Sequence, residues 1–325
     1  MDLELRELRR SADRVGWGML LYTALLFAFG FVQAFVIVAA GWILPLLPDN
    51  GGMLAGLFEE LSTGGIASIF SAAVSVGLLT LIFLKAAPMR EVWQRSERKM
   101  TVLSFGKVFV LFMGFQLVFS FVSFLFELLL NVFGLSSMQA LDAVTGSSDS
   151  LTMFLYVGIV APFAEEIVYR GFALRALAPF GKKLAILTSA ILFGLAHGNI
   201  HQIFYAIAVG LVLGYVASEY SIWWSIVLHL FNNLVFANLW DRVLELLPGS
   251  WGDVLSWGLN LLFFVLAVIV VVVHWREVAD GFHRSVEEEV RLRYFFRSNG
   301  IVFFVIVTVI LTVLTLVLTI TPLSY

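Results

Sequence analysis

The 325-residue sequence predicts an all-α fold: a polytopic membrane helix bundle of about nine transmembrane helices with its N-terminus inside. Three observations carry that expectation. The composition is 60% hydrophobic and 13% charged with a mean hydropathy of +0.96, whereas a soluble domain carries about a quarter charged residues. Apolar runs about as long as a bilayer crossing recur from end to end. The Lys and Arg residues fall almost entirely in alternate loops.

A polar leader, residues 1–14, precedes the first apolar run at 15–47, which is about twice the length of a signal-peptide core and reads as a retained span. Further runs lie near 62–84, 108–130, 151–178, 184–198, 202–218, 221–240, 254–273 and 300–320. They are continuously apolar, without the every-second-residue alternation of a membrane barrel. Of the 20 basic residues, 18 fall in the leader (Arg6, Arg9, Arg10, Arg14) or in alternate loops. These loops hold Lys85, Arg90, Arg95, Arg98, Lys99 and Lys107; then Arg175, Lys182 and Lys183; then Arg276, Arg284, Arg291, Arg293 and Arg297. That pattern places these loops and the N-terminus inside. Trp17, Trp42, Trp223, Trp224, Trp251 and Trp275 fall near span ends, as an aromatic belt would. The chain divides into the leader, N-terminal helices over 15–150, a polar-bearing core over 151–240, and a C-terminal pair of spans over 241–325. The polar stretch 276–299 reads as a solvated cytoplasmic connector helix.

A net charge of −3 offers no basic field for nucleic acid, so no nucleic-acid partner is expected. With no cysteine, the chemistry is left to carboxylates, imidazoles, hydroxyls and amides. An ionisable group inside a span costs about 2.5–3.5 kcal/mol on insertion scales, so such groups pose the functional question. Span four carries Glu165, Glu166 and Arg170; span five ends with His197; span seven carries His229, Asn232 and Asn233. At about 1.5 Å per helical residue, Glu165 and His197 each lie roughly 20 Å from the inner end of their helices, and His229 and Asn233 roughly 12 and 18 Å. Each alone has a structural reading as an ion-pair staple or interhelical hydrogen bond. Their coincidence at one depth points to a shared site.

Helical phase divides the roles. Glu166 and Arg170 are four apart and share a face, which makes Arg170 the counter-ion of Glu166 and leaves Glu165 free to hold a water and cycle a proton. His229 and Asn233, also four apart, present neutral donors suited to an oxyanion. Phe193 shares a face with His197 and is expected to shield it from bulk water, with Gly198 capping that helix. Glu127 and Glu219 stand apart and are expected to be structural or interfacial. Asn131, Ser136 and Ser137 carry no catalytic signal, because no histidine is near them in sequence.

The patterns Glu165-Glu166-x-x-Tyr169-Arg170, Phe193-x-x-x-His197 and His229-x-x-x-Asn233 resemble, in order and spacing, the three motifs of the CPBP family of intramembrane proteases. That family includes CAAX prenyl proteases and bacteriocin-processing or immunity proteins. The resemblance covers roughly residues 151–240. It implies that Glu165 and His197 activate a water, that His229 and Asn233 stabilise the oxyanion, and that Glu166 and Arg170 support the site. It further implies a membrane-associated or lipidated peptide or protein as substrate, with the lipid bilayer as surroundings. No cofactor is required on this reading; the alternative is a zinc ion held by Glu165, His197 and His229, although no HExxH occurs. The expected location is a bacterial cell membrane. Two other functions compete: a transporter or proton relay, since intramembrane Glu/His chains also move protons, and a non-catalytic immunity or scaffold protein. Inverted repeats, a feature of many transporters, are not evident, and every motif residue is intact.

Overall fold

A computed structural model describes residues 2–47, 53–83, 92–93, 98–145, 150–283 and 285–323. The loop cations Lys85, Arg90, Arg95 and Arg284 lie outside these described residues. The helices are α1 (Asp2–Ile43), α2 (Met53–Thr63), α3 (Ile66–Phe83), α4 (Val102–Val132), α5 (Met138–Thr145), α6 (Leu151–Phe180), α7 (Lys182–Ala196), α8 (Ile200–Glu219), α9 (Ile222–Phe231), α10 (Trp251–Val273), α11 (Trp275–Phe282), α12 (Val286–Phe296) and α13 (Asn299–Thr319). The fold is a polytopic helical bundle, as the composition requires.

Local sequence sets where these helices begin and end. Side-chain oxygens of Thr101, Ser150 and Asn199 accept backbone N–H bonds in the first turns of α4, α6 and α8, satisfying donors that helix geometry leaves open. Gly198, at φ +60°, takes the left-handed conformation that closes α7 just past His197. A two-residue antiparallel ladder pairs Leu135 with Pro322 and Ser136 with Thr321, so the C-terminal ends of α4 and α13 lie at one end of the bundle.

Among the described residues, seven helices are long and apolar enough to cross a bilayer, and the expected count of nine is not confirmed. The two that fall short are those carrying motif histidines. α7 has 15 residues, about 22 Å of helix against a hydrocarbon core of about 30 Å. α9 keeps α-helical geometry for ten residues and then passes into a π-helix over Asn232–Trp240.

The leader and first span form one helix, with Leu5, Leu8 and Ala12 buried. The connector expected to be a single solvated helix is instead α11 and α12, the second opened by a Ser285–Glu288 capping box. It is docked onto the bundle: Phe295 is fully buried, and Arg291 pairs with Glu4 at 2.8 Å and donates to the Phe180 carbonyl at 3.1 Å. Apolar spacing over 286–296 was weak enough to be masked by its charges. Where α1 crosses α13, Gly16 and Gly300 approach so closely that a Cβ on either would overlap the opposing backbone, the small-residue packing that lets membrane helices touch.

Candidate active site

Four helical segments assemble the polar cluster: the middle of α6, the end of α7, the end of α9 and the π-helix beyond it. α6 is irregular on both sides of the glutamates, with π-helical geometry at Tyr156–Val160 and Ile167–Leu174. Pro162 explains the first irregularity. The Ala161 N–H bonds five residues back to the Tyr156 carbonyl, and the next donor in that pattern, residue 162, has no N–H. The Val157 carbonyl it would have served accepts from Asn233 Nδ2 at 3.2 Å instead. Gly158 permits the approach, since a Cβ there would stand 3.0 Å from Leu234.

The two adjacent carboxylates occupy different environments. Glu166 is fully buried; its Oε1 lies 2.9 Å from Arg170 Nη1 and 2.9 Å from His229 Nδ1, and Oε2 accepts from the Ser225 hydroxyl. The glutamate and arginine are each desolvated, a burial that only close pairing makes tolerable. Arg170 also donates from Nη2 to the Gly210 carbonyl at 3.3 Å and lies over the Phe193 ring at 4.4 Å. Glu165 keeps 25% of its side chain exposed, with Oε2 3.6 Å from His229 Nε2. The hydroxyls of Tyr22, Tyr156 and Tyr169 stand within electrostatic range of it, and Tyr22 comes from α1, far outside the motifs.

His229 thus bridges both glutamates, an arrangement that spacing within α9 did not predict. Its Nδ1–H donates to Glu166, so Nε2 can donate to a ligand only when the ring carries both protons. Sequence spacing paired His229 with Asn233 as neutral donors. The switch to π geometry at Asn232 changes the residues per turn and turns Asn233 toward Val157. His197 Nδ1 donates to its own helix's Phe193 carbonyl at 2.8 Å, which makes Nε2 the acceptor nitrogen of the neutral ring. The buried Phe193 ring lies edge-on to His197 (4.8 Å), His229 (5.8 Å) and Tyr169 (5.1 Å), so one ring packs against both imidazoles.

Among the described residues no three His, Asp or Glu side chains gather closely enough to hold a metal ion. Glu165, His197 and His229 therefore do not form a preassembled three-ligand set, although the bond from His229 Nδ1–H to Glu166 leaves its Nε2 available as a ligand.

Two further clusters were invisible to spacing. Glu127 Oε2 accepts from the backbone N–H and the hydroxyl of Ser137 (2.9 and 2.8 Å), and Ser137 Oγ lies 3.0 Å from His201 Nε2. The partners are 10 and 64 residues apart, so no local pattern announces them. The carboxylate touches the serine rather than the histidine, the reverse of an acid–base–nucleophile relay. Glu219, expected to be interfacial, pairs with Lys182 and with Arg98. The second cluster joins Gln116, Tyr205 and Asn232 beside Asn233.

Residues 147–235, which contain every motif position, match the family model of the Rce1-like type II CAAX prenyl endopeptidases. No curated protein and no solved structure matches the chain. Together with seven apolar helices of membrane-crossing length, the match makes this an integral membrane protein. Over residues 147–235, the chain is thus similar to the CAAX-type proteases of the CPBP family, the family that its three motifs resemble.

Proposed function

We propose that the protein is an intramembrane endopeptidase that hydrolyses a peptide bond of a membrane-associated or lipidated peptide using water activated by Glu165 and His197. The observation that carries this reading is the partly exposed Glu165 carboxylate set beside His229, next to a fully neutralised Glu166, within the matched segment. Glu165 takes a proton from a water that His197 Nε2 helps orient, and the hydroxide adds to the scissile carbonyl carbon. The oxyanion accepts from the Asn233 amide and from doubly protonated His229. Glu165 then passes its proton to the departing amine as the C–N bond breaks. Glu166 and Arg170 hold His229 in place and take no proton. The mechanism needs no cofactor; a zinc site on Glu165, His197 and His229 would require those side chains to converge first.

The depth of the site favours a substrate that resides in the bilayer, and the short loops suit a bacterial cell membrane. Comparing peptide ends in membranes from cells expressing wild-type protein or Glu165→Gln at matched levels tests the reading. Ends found only with wild type are expected. Identical ends with both proteins folded would refute it and turn attention to proton flux in liposomes.

A further inference from the structure

Asn233 sits at the end of a chain of side-chain hydrogen bonds that begins outside the matched segment. Gln116 interrupts an otherwise apolar stretch of α4, and an unsatisfied amide at that depth would be costly. Its Nε2 donates to Asn232 Oδ1 at 2.9 Å and to the Tyr205 hydroxyl oxygen at 2.6 Å, and the Tyr205 hydroxyl donates to the same Asn232 Oδ1 at 3.3 Å. Asn232 Nδ2 then donates to Asn233 Oδ1 at 2.9 Å, and Asn233 Nδ2 donates to the Val157 carbonyl at 3.2 Å.

We infer that Gln116, Tyr205 and Asn232 are positioning residues that hold the Asn233 amide with its nitrogen, not its oxygen, toward the reacting carbonyl. The inference rests on the oxyanion role proposed above for Asn233. An asparagine amide presents donors at one end and an acceptor at the other, and a half-turn about its last torsion exchanges them. A backbone carbonyl only accepts, so Val157 fixes the nitrogen end of Asn233. Asn232 fixes the oxygen end, and its own orientation is held because the Gln116 amide nitrogen can only donate. Three elements, α4, α8 and the π-helix after α9, thus act on one donor. Without Asn232, the hold on the Asn233 oxygen end is lost and the amide turns more readily to set its oxygen toward a developing oxyanion, where it repels. Pro162 belongs to the same device, because its missing N–H frees the carbonyl that anchors the chain.

A double-mutant cycle on the rate at which wild-type-dependent peptide ends appear in isolated membranes tests the inference. Loss of an oxyanion donor in Asn233→Ala is expected to slow cleavage by about 100-fold, and Asn232→Ala by about 10-fold. In the Asn233→Ala background, Asn232→Ala should cost less than about twofold further, since residues acting through one group are not additive. A full additional 10-fold loss would overturn the inference. Tyr205→Phe, which keeps the ring, is expected to slow cleavage by about threefold; no change in either Tyr205→Phe or Asn232→Ala would also overturn it. In protein labelled with 15N-asparagine, the Asn233 side-chain amide should exchange faster with solvent in Asn232→Ala than in wild type, and an unchanged rate would contradict the relay whatever the activity. Absence of any wild-type-dependent ends, with exchange behaving as expected, would instead remove the protease reading, and the positioning role with it.

Discussion

Two polar clusters of the bundle use the same ingredients and arrange them oppositely. In one, Glu165 keeps a quarter of its side chain exposed, Nε2 of His229 stands 3.6 Å from it, and His197 leaves a ring nitrogen unengaged by its helix. In the other, Glu127 Oε2 accepts both Ser137 donors, and Ser137 and His201 are almost wholly buried. Both contain a carboxylate and an imidazole on neighbouring helices. Residue type alone therefore does not distinguish a reactive site from interhelical glue. What distinguishes them is access at the imidazole: His197 is partly exposed, whereas His201 is buried where no substrate reaches it. Glu165 and Glu166 repeat the contrast one residue apart: the second is neutralised three ways so that the first can remain available.

The contrast can be broken experimentally, beginning where the effect is largest. Glu165→Gln is expected to slow cleavage by about 10²–10⁴-fold, the usual worth of a general base, with little change in thermal stability in detergent. Glu166→Gln and Arg170→Ala should do the reverse to the fold. Each strands a buried charge and is expected to destabilise by about 3–5 kcal/mol, read as lower membrane yield and melting temperature; equal yields for all three variants would undo the assigned split. Phe193→Leu removes the ring packed against Arg170, Tyr169 and both imidazoles. A loss of about 1–2 kcal/mol is expected from those contacts, together with reduced cleavage as the imidazoles lose that packing. Ser137→Ala should cost about 1–2 kcal/mol in stability while leaving cleavage within about twofold. A large activity loss there would mean that the second cluster is not merely structural.

Much of this was legible in the sequence wherever partners lie within a helical turn or two. The Glu166–Arg170 pair and the Phe193–His197 contact follow from spacing of four. Alternating basic loops and apolar runs revealed a polytopic bundle. Contacts between helices were not legible. His229 meets Glu166 across 63 residues, Ser137 meets His201 across 64, and Gln116 meets Asn232 across 116. Nor was the π geometry, of which only the segment before Pro162 has a local cause; beyond α9 it shortens the α-helical part and accompanies the Asn233 bond to Val157. Hydropathy likewise records apolar length but not where a helix stops to present a side chain, as α7 and α9 do.

The most direct test sets Glu165→Gln beside Glu127→Gln, expressed at equal levels and with equal melting behaviour, and compares peptide ends in their membranes with those of wild type. The wild-type-dependent ends should vanish with Glu165→Gln and persist with Glu127→Gln. Persistence of those ends with Glu165→Gln, or their equal loss in both variants, would contradict the assignment of catalysis to the half-exposed carboxylate.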